Sequence, residues 1–203
     1  FYLKKYTFNM EVLIYVIAIG IFAFLCFMSI YLIVLFVSSK GFKISPTVTS
    51  DAKSIKEIAK YIKNYNETIL KKVNLKILDI GSGYGKLLFK VNKILNNPEN
   101  IFIGYEISNF AYKISKFKNK FKNIFIFKDD IHNIKDLDFD FIVSFMLAKQ
   151  QPDFISIYKK FPVGAIILAN SNAIPFKNTD GYELIDKIKV HFGWEIYVYK
   201  KIV

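Results

Sequence analysis

The hydrophobic and polar positions of the chain fall into two regimes. From Val12 to Val37 run 26 consecutive residues without a charge, and a helix drawn through them has no polar face. Such a helix is about 39 Å long at ~1.5 Å per residue, against a bilayer hydrocarbon core of about 30 Å. The run predicts a transmembrane helix and is too long for the apolar region of a cleaved signal peptide. From Leu75 onward, short apolar runs alternate with amphipathic ones. The continuous runs predict buried parallel strands at 75–80, 101–106, 124–127, 139–144 and 164–170. The periodic runs predict helices at 85–96, 109–119 and 151–160, with one more, 52–62, ahead of the first strand. Residues 185–191 and 194–203 read as a hairpin around Phe192-Gly193.

Alternating strands and helices predict an α/β fold, Rossmann-like, here with seven strands. Its C-terminal antiparallel hairpin is a feature that a dinucleotide-binding domain lacks. Three parts follow: an anchor over residues 1–39, a linker over 40–50 and a folded domain over 51–203. In the linker, Pro46 ends any helix at Ser45. Ser50 or Thr49 is expected to cap the helix that begins at Ala52.

The chemistry gathers after the first strand, in Asp79-Ile80-Gly81-Ser82-Gly83-Tyr84-Gly85. Glycines at alternate positions let a backbone turn tightly and approach a ligand that any Cβ would push away. A dinucleotide turn would need glycine at position 86, which is Lys86. A phosphate loop would need glycine at Ile80 and a hydroxyl at Leu87. The second strand ends in Gly104-Tyr105-Glu106, and Glu106 lies 21 residues after Gly85, where such folds keep a ribose-binding acid. The third ends in Lys128-Asp129-Asp130-Ile131.

The pattern Asp-x-Gly-x-Gly-x-Gly resembles the first motif of class I S-adenosylmethionine-dependent methyltransferases. The resemblance implies a cofactor without phosphate but with an ammonium and a sulfonium, for which an acid at Asp79 is useful. It implies that Asp79, Gly81, Ser82, Gly83 and Gly85 form the cofactor turn. It further places Glu106 at the ribose, with Asp130 and Ile131 at the adenine. The sheet closed by an antiparallel pair is the arrangement of that family. After the fourth strand, enzymes that methylate exocyclic base amines carry Asn/Asp-Pro-Pro-aromatic. This chain has Ser144-Phe145-Met146-Leu147-Ala148, so a nucleic acid acceptor is not expected.

Within that class, an apolar helix, a Pro-Thr segment, the glycine motif and Gly-Tyr-Glu together resemble one group. These are the membrane-anchored lysine methyltransferases of the ATP synthase c subunit or the adenine nucleotide translocase, with their prokaryotic relatives. The resemblance implies that Pro46, Thr47, Phe145, Met146 and Leu147 meet the substrate. It implies a membrane-protein lysine as acceptor and a single-pass protein. Because S-adenosylmethionine is a cytoplasmic or matrix metabolite, the domain is expected on that side. Lys4 and Lys5 before the span balance Lys40 and Lys43 after it, so charge alone does not orient it. A lipid or quinone acceptor, or a non-catalytic assembly module, are the alternatives. No general base stands out; Asp153 and Asn170 read as helix cap and turn residue.

Composition adds limits. All 29 basic residues are Lys, the net charge is +12, and Ile, Asn, Phe and Tyr are abundant. That is the bias of an AT-rich genome, so the charge says little about partners. Without Arg the chain lacks the usual bidentate reader of phosphate and guanine. Cys26 is the single cysteine and His132 and His191 the two histidines, so neither a disulfide nor a metal site is expected. Residue 1 is Phe rather than Met, as expected of a fragment or a processed form.

Overall fold

The computed structural model describes residues 10–40, 50–191 and 193–203. The chain divides into two compact units, Phe1–Pro46 and Thr47–Val203. In the first, α1 (Met10–Lys40) contains a 23-residue window, Val12–Val34, of mean hydropathy 2.7. Within that window the apolar side chains are exposed all round, with Leu13 half-buried. Ser29 donates its hydroxyl to the Leu25 carbonyl at 2.8 Å, so the Ser29 hydroxyl is satisfied within the helix. By length and composition α1 can cross a bilayer.

The second unit is a single seven-stranded sheet flanked by helices. Its strands are β1 (Lys76–Ile80), β2 (Ile101–Tyr105), β3 (Ile124–Phe127), β4 (Phe141–Ser144), β5 (Ile166–Asn170), β6 (Tyr182–His191) and β7 (Trp194–Lys201). They lie in the order β3-β2-β1-β4-β5-β7-β6. The first five are parallel, and β7 runs antiparallel between β5 and β6. The helices are α2 (Ala52–Tyr65), α3 (Lys86–Leu95), α4 (Asn109–Lys118) and α5 (Gln151–Tyr158).

Successive residues of each strand serve opposite faces. Ile77, Phe141, Val143 and Leu168 pack under Ile55, Ile58 and Ile62 of α2 and Leu88 and Val91 of α3. Leu78, Ile80, Ile142 and Ile167 pack on the other side against Ile157 and Tyr158 of α5. Burial on both faces explains why the central strands are apolar without alternation. Each buried Ile or Leu contributes about 1.5–3 kcal/mol.

Several boundaries depart from the sequence reading. Asp51, not Ser50, caps α2: its Oδ1 accepts from Lys53 N at 2.8 Å and Ser54 N at 3.1 Å. Its second oxygen takes the Ser54 hydroxyl, a pair of acceptors that serine does not have. Thr49 lies outside the described residues. The helix also runs past Ile62 to Tyr65 and closes in a π-helical turn, Asn66–Leu70. Finally, β6 starts at Tyr182 rather than at 185. Register shifts between Leu184 and Asp186, and again between Lys189 and His191, break the period of two that marks a strand.

Candidate active site

Register sets the strand ends level. Ile80 pairs with Tyr105 and Ser144, Tyr105 with Phe127, and Ser144 with Ala169. Gly81, Glu106, Phe145 and Asn170 therefore come one step beyond the same edge of the sheet. Ligands of open α/β sheets bind outside the carboxyl ends of the strands.

The glycine turn is built as the motif requires. Gly81, Gly83 and Gly85 have φ of 73°, 54° and 75°, the left-handed region that costs other residues about 1–2 kcal/mol. A Cβ on Gly85 would stand 2.5 Å from the Phe89 ring. The turn is fastened to β2 at two points. Ser82 N donates to the Tyr105 carbonyl at 2.9 Å. Gly83 N donates to Glu106 Oε2 at 2.7 Å, and Glu106 Oε1 accepts from Ser108 N at 2.6 Å. Gly104 makes room for this approach, because a Cβ there would lie 2.7 Å from Ser82 Cβ.

Two acids are buried beside the turn. Burial and the neighbouring Glu106 push the Asp79 carboxyl up to about 8. Among the described residues, no hydrogen bond reaches its side chain. Burial also raises Glu106, against the opposing pull of its backbone donors Ser108, Gly83 and Ile107. A carboxylate has about four acceptor positions, so Glu106 keeps capacity for a ligand. The Ser82 hydroxyl is likewise buried without a partner among the described residues. An unpaired acid, an unpaired hydroxyl and a backbone cradle suit a ligand carrying an ammonium and hydroxyls.

Other predicted residues take distinct places. Asp130 caps a short 3₁₀ turn, Ile131–Asn133, accepting from His132 N at 2.9 Å, and its Oδ1 lies 2.7 Å from His132 Nδ1. Ile131 turns its side chain into the core. Met146 sits over Gly81, with Cε 3.1 Å from where a Cβ would be. Phe145 is half-buried, its ring centroid 6.1 Å from that of Trp194, and Leu147 is exposed. Pro46 and Thr47 lie outside the described residues. Asp153 is exposed in the first turn of α5, where a negative charge favours the helix dipole. Among the described residues, no group of three or more His, Cys, Asp or Glu could hold a metal.

Sequence reasoning missed one cluster. Asn170 is fully buried at the end of β5 and donates from Nδ2 to Ser50 Oγ at 3.1 Å. Its Oδ1 has no partner among the described residues. The Ser50 carbonyl accepts from Lys86 Nζ at 3.0 Å. Lys86, which would be the lysine of a phosphate loop, is thus committed to the strap before α2. Asn172 Nδ2 holds the Met146 carbonyl at 3.0 Å, tying the segment after β4 to the one after β5.

A methyltransferase-domain family model matches residues 71–190. The chain belongs to this family. It is an S-adenosylmethionine-dependent methyltransferase, and the turn just described suits that cofactor. No curated protein matches the chain. Solved structures agree on the fold. An RNA methyltransferase of Salinibacter ruber, in complex with S-adenosyl-L-homocysteine, superposes with a TM-score of 0.63 at 12% identity, covering 76% of this chain and 94% of that one. A ribosomal-protein methylase of Lactobacillus delbrueckii subsp. bulgaricus gives 0.56 at 15% identity, covering 73% and 79%. One is named for an RNA acceptor and the other for a protein, so the shared fold does not choose between acceptors.

We propose that Asp79 lines the cofactor site, where its carboxyl would give cofactor binding a pH signature. With its pKa at about 8, the free methyltransferase holds this proton at pH 7. That proton stabilises the fold below the ordinary carboxylate range, and the benefit is lost as pH rises through about 8. A cation seated beside it favours the ionised form. Binding of S-adenosylmethionine at neutral pH is therefore expected to release close to one proton, and affinity to rise from about pH 6 to pH 7.5. Calorimetry in buffers of differing ionisation enthalpy reads this directly. Asp79→Asn should bind more weakly and release none; an unchanged release in that variant would show that the proton comes from elsewhere.

Proposed function

We propose that this methyltransferase is held in a membrane by α1 and transfers methyl groups to a lysine amine of a membrane protein. One observation carries the reading: a span-length apolar helix and a methyltransferase domain occur in one chain. The segment after β4 presents Phe145, Met146 and Leu147 in place of the amide and prolines that hold a base amine.

Bound S-adenosylmethionine supplies a methyl group on a sulfonium, a good electrophile. The chain's part is to align an amine behind that methyl and to keep it neutral. Alignment supplies most of the acceleration in such a direct transfer. A free lysine titrates near 10.4, and an apolar mouth lowers this by disfavouring the ammonium. Transfer would form the N–C bond as the C–S bond breaks, and the nitrogen would then give its proton to solvent. Because the cofactor is made in the cytoplasm or matrix, the domain faces that side.

Mass spectrometry of membrane fractions from cells with and without the gene tests the acceptor. A methylated lysine on an integral membrane protein, absent from the deletion strain, is the expected result. A difference confined to the lipid extract would replace the lysine with a lipid or quinone.

A further inference from the structure

The outward face of α4 has a composition that nothing in the active site uses. Ala111 and Ser115 are buried toward the sheet. On the opposite side Phe110, Lys113 and Phe117 form one stripe, three and four residues apart. Phe110 is 63% exposed and Phe117 is 89% exposed, so neither contributes to the core. From Asn109 to Asn123 there are five lysines and no acid. Lys118 lies 5.9 Å from the Tyr84 ring centroid. Among the described residues, Lys113, Lys116, Lys120 and Lys122 enter no ion pair.

The lysines of α2 offer a contrast. Lys53, Lys56, Lys60 and Lys63 also share a helix face, but no exposed aromatic stands among them. Lys63 moreover faces Glu67 at 3.9 Å. That face is an ordinary solvated one. Two exposed phenylalanines ringed by uncompensated cations are a different arrangement. They suit the boundary where acyl chains meet anionic head groups.

We propose that the Phe110–Phe117 face of α4 docks on an anionic lipid bilayer. The rings enter the head-group boundary, and the lysine stems lie along it with their ammonium groups at the phosphates. Single-stranded RNA is the rival partner, since bases stack on aromatic rings. The bilayer is favoured because α1 puts one within reach of the same chain, and the inference rests on that membrane reading for its setting.

The test uses residues 41–203, which lack α1. Both core clusters are formed entirely from residues 55–199, so this part folds alone. Co-sedimentation is measured with phosphatidylcholine vesicles with and without about 30 mol % phosphatidylglycerol. Binding to the anionic vesicles only is expected, falling at least tenfold between about 0.05 and 0.5 M salt. Phe110→Ala with Phe117→Ala should cut it by about tenfold or more, with S-adenosylmethionine affinity and melting temperature unchanged. Replacing Lys113, Lys116, Lys120 and Lys122 with Gln should do the same. No binding to anionic vesicles, equal binding by the Phe double variant, or tighter binding to a single-stranded RNA oligomer would overturn the proposal. None of these results bears on whether α1 itself spans a bilayer, which alkaline extraction of the full chain decides separately.

Discussion

Glu106→Ala is expected to weaken S-adenosylmethionine binding by about ten- to a hundredfold or more while leaving the helix content intact. The residue acts twice. Its remaining acceptor positions are those proposed for the ribose hydroxyls, and hydrogen bonds to a charged group are worth roughly 1.5–3 kcal/mol each. Every 1.4 kcal/mol is about tenfold in affinity. It also holds the cradle, since Oε2 takes Gly83 N at 2.7 Å and Oε1 takes Ser108 N at 2.6 Å. Alanine removes both acceptors and leaves these N–H groups without their partner.

Glutamine is expected to be no milder. One end of its amide would be a donor aimed at a backbone donor, Gly83 N or Ser108 N. Gly83→Val attacks the same cradle from the other side. A β-branched residue at φ 54° is strained, and relief of that strain would pull the Gly83 N–H away from Glu106. Isothermal calorimetry with circular dichroism as a folding control reads all three variants. If Glu106→Ala moved the affinity less than threefold, the acid at the end of β2 would not be the ribose ligand.

The parts of this site that were legible in the sequence are those that local physics writes locally. Leu78 and Ile80 serve one core and Ile77 the other, so β1 had to be continuously apolar. The turn after it had to be glycine at three places because φ is positive at each. Glu106, which meets the turn through Gly83 N, could be singled out because only one helix and one strand separate it from that turn. The strap was hidden for the opposite reason. Asn170 meets Ser50 across 120 positions of sequence, and nothing about a lone Asn at a strand end signals its partner. Asp51 outcompeted Ser50 as a cap through its second oxygen. In β6 the side-chain period was lost at the bulges, and an exposed strand carries little hydrophobic signal in any case.

Removing residues 1–40 is expected to leave S-adenosylmethionine affinity unchanged and to lower methylation of a membrane-embedded acceptor by about a hundredfold or more. The first half follows from placement, since the glycine turn, Asp79, Glu106 and the Ser50–Asn170 strap all lie in the unit that starts at Thr47. The second half follows from confinement. An enzyme and a target in the same membrane meet at an effective concentration that linkage alone raises by about 10²–10⁴-fold, without any new contact. A lysine near the interface suits such an enzyme, because its long stem carries the amine up toward the head groups. A soluble peptide with the same lysine gains nothing from the anchor, so full-length and truncated forms should methylate it equally and poorly. Transfer of labelled methyl from S-adenosylmethionine to the acceptor in reconstituted vesicles, run beside the peptide, separates these effects. Equal labelling of the embedded acceptor by both forms would remove anchoring from the mechanism and move the search to soluble acceptors.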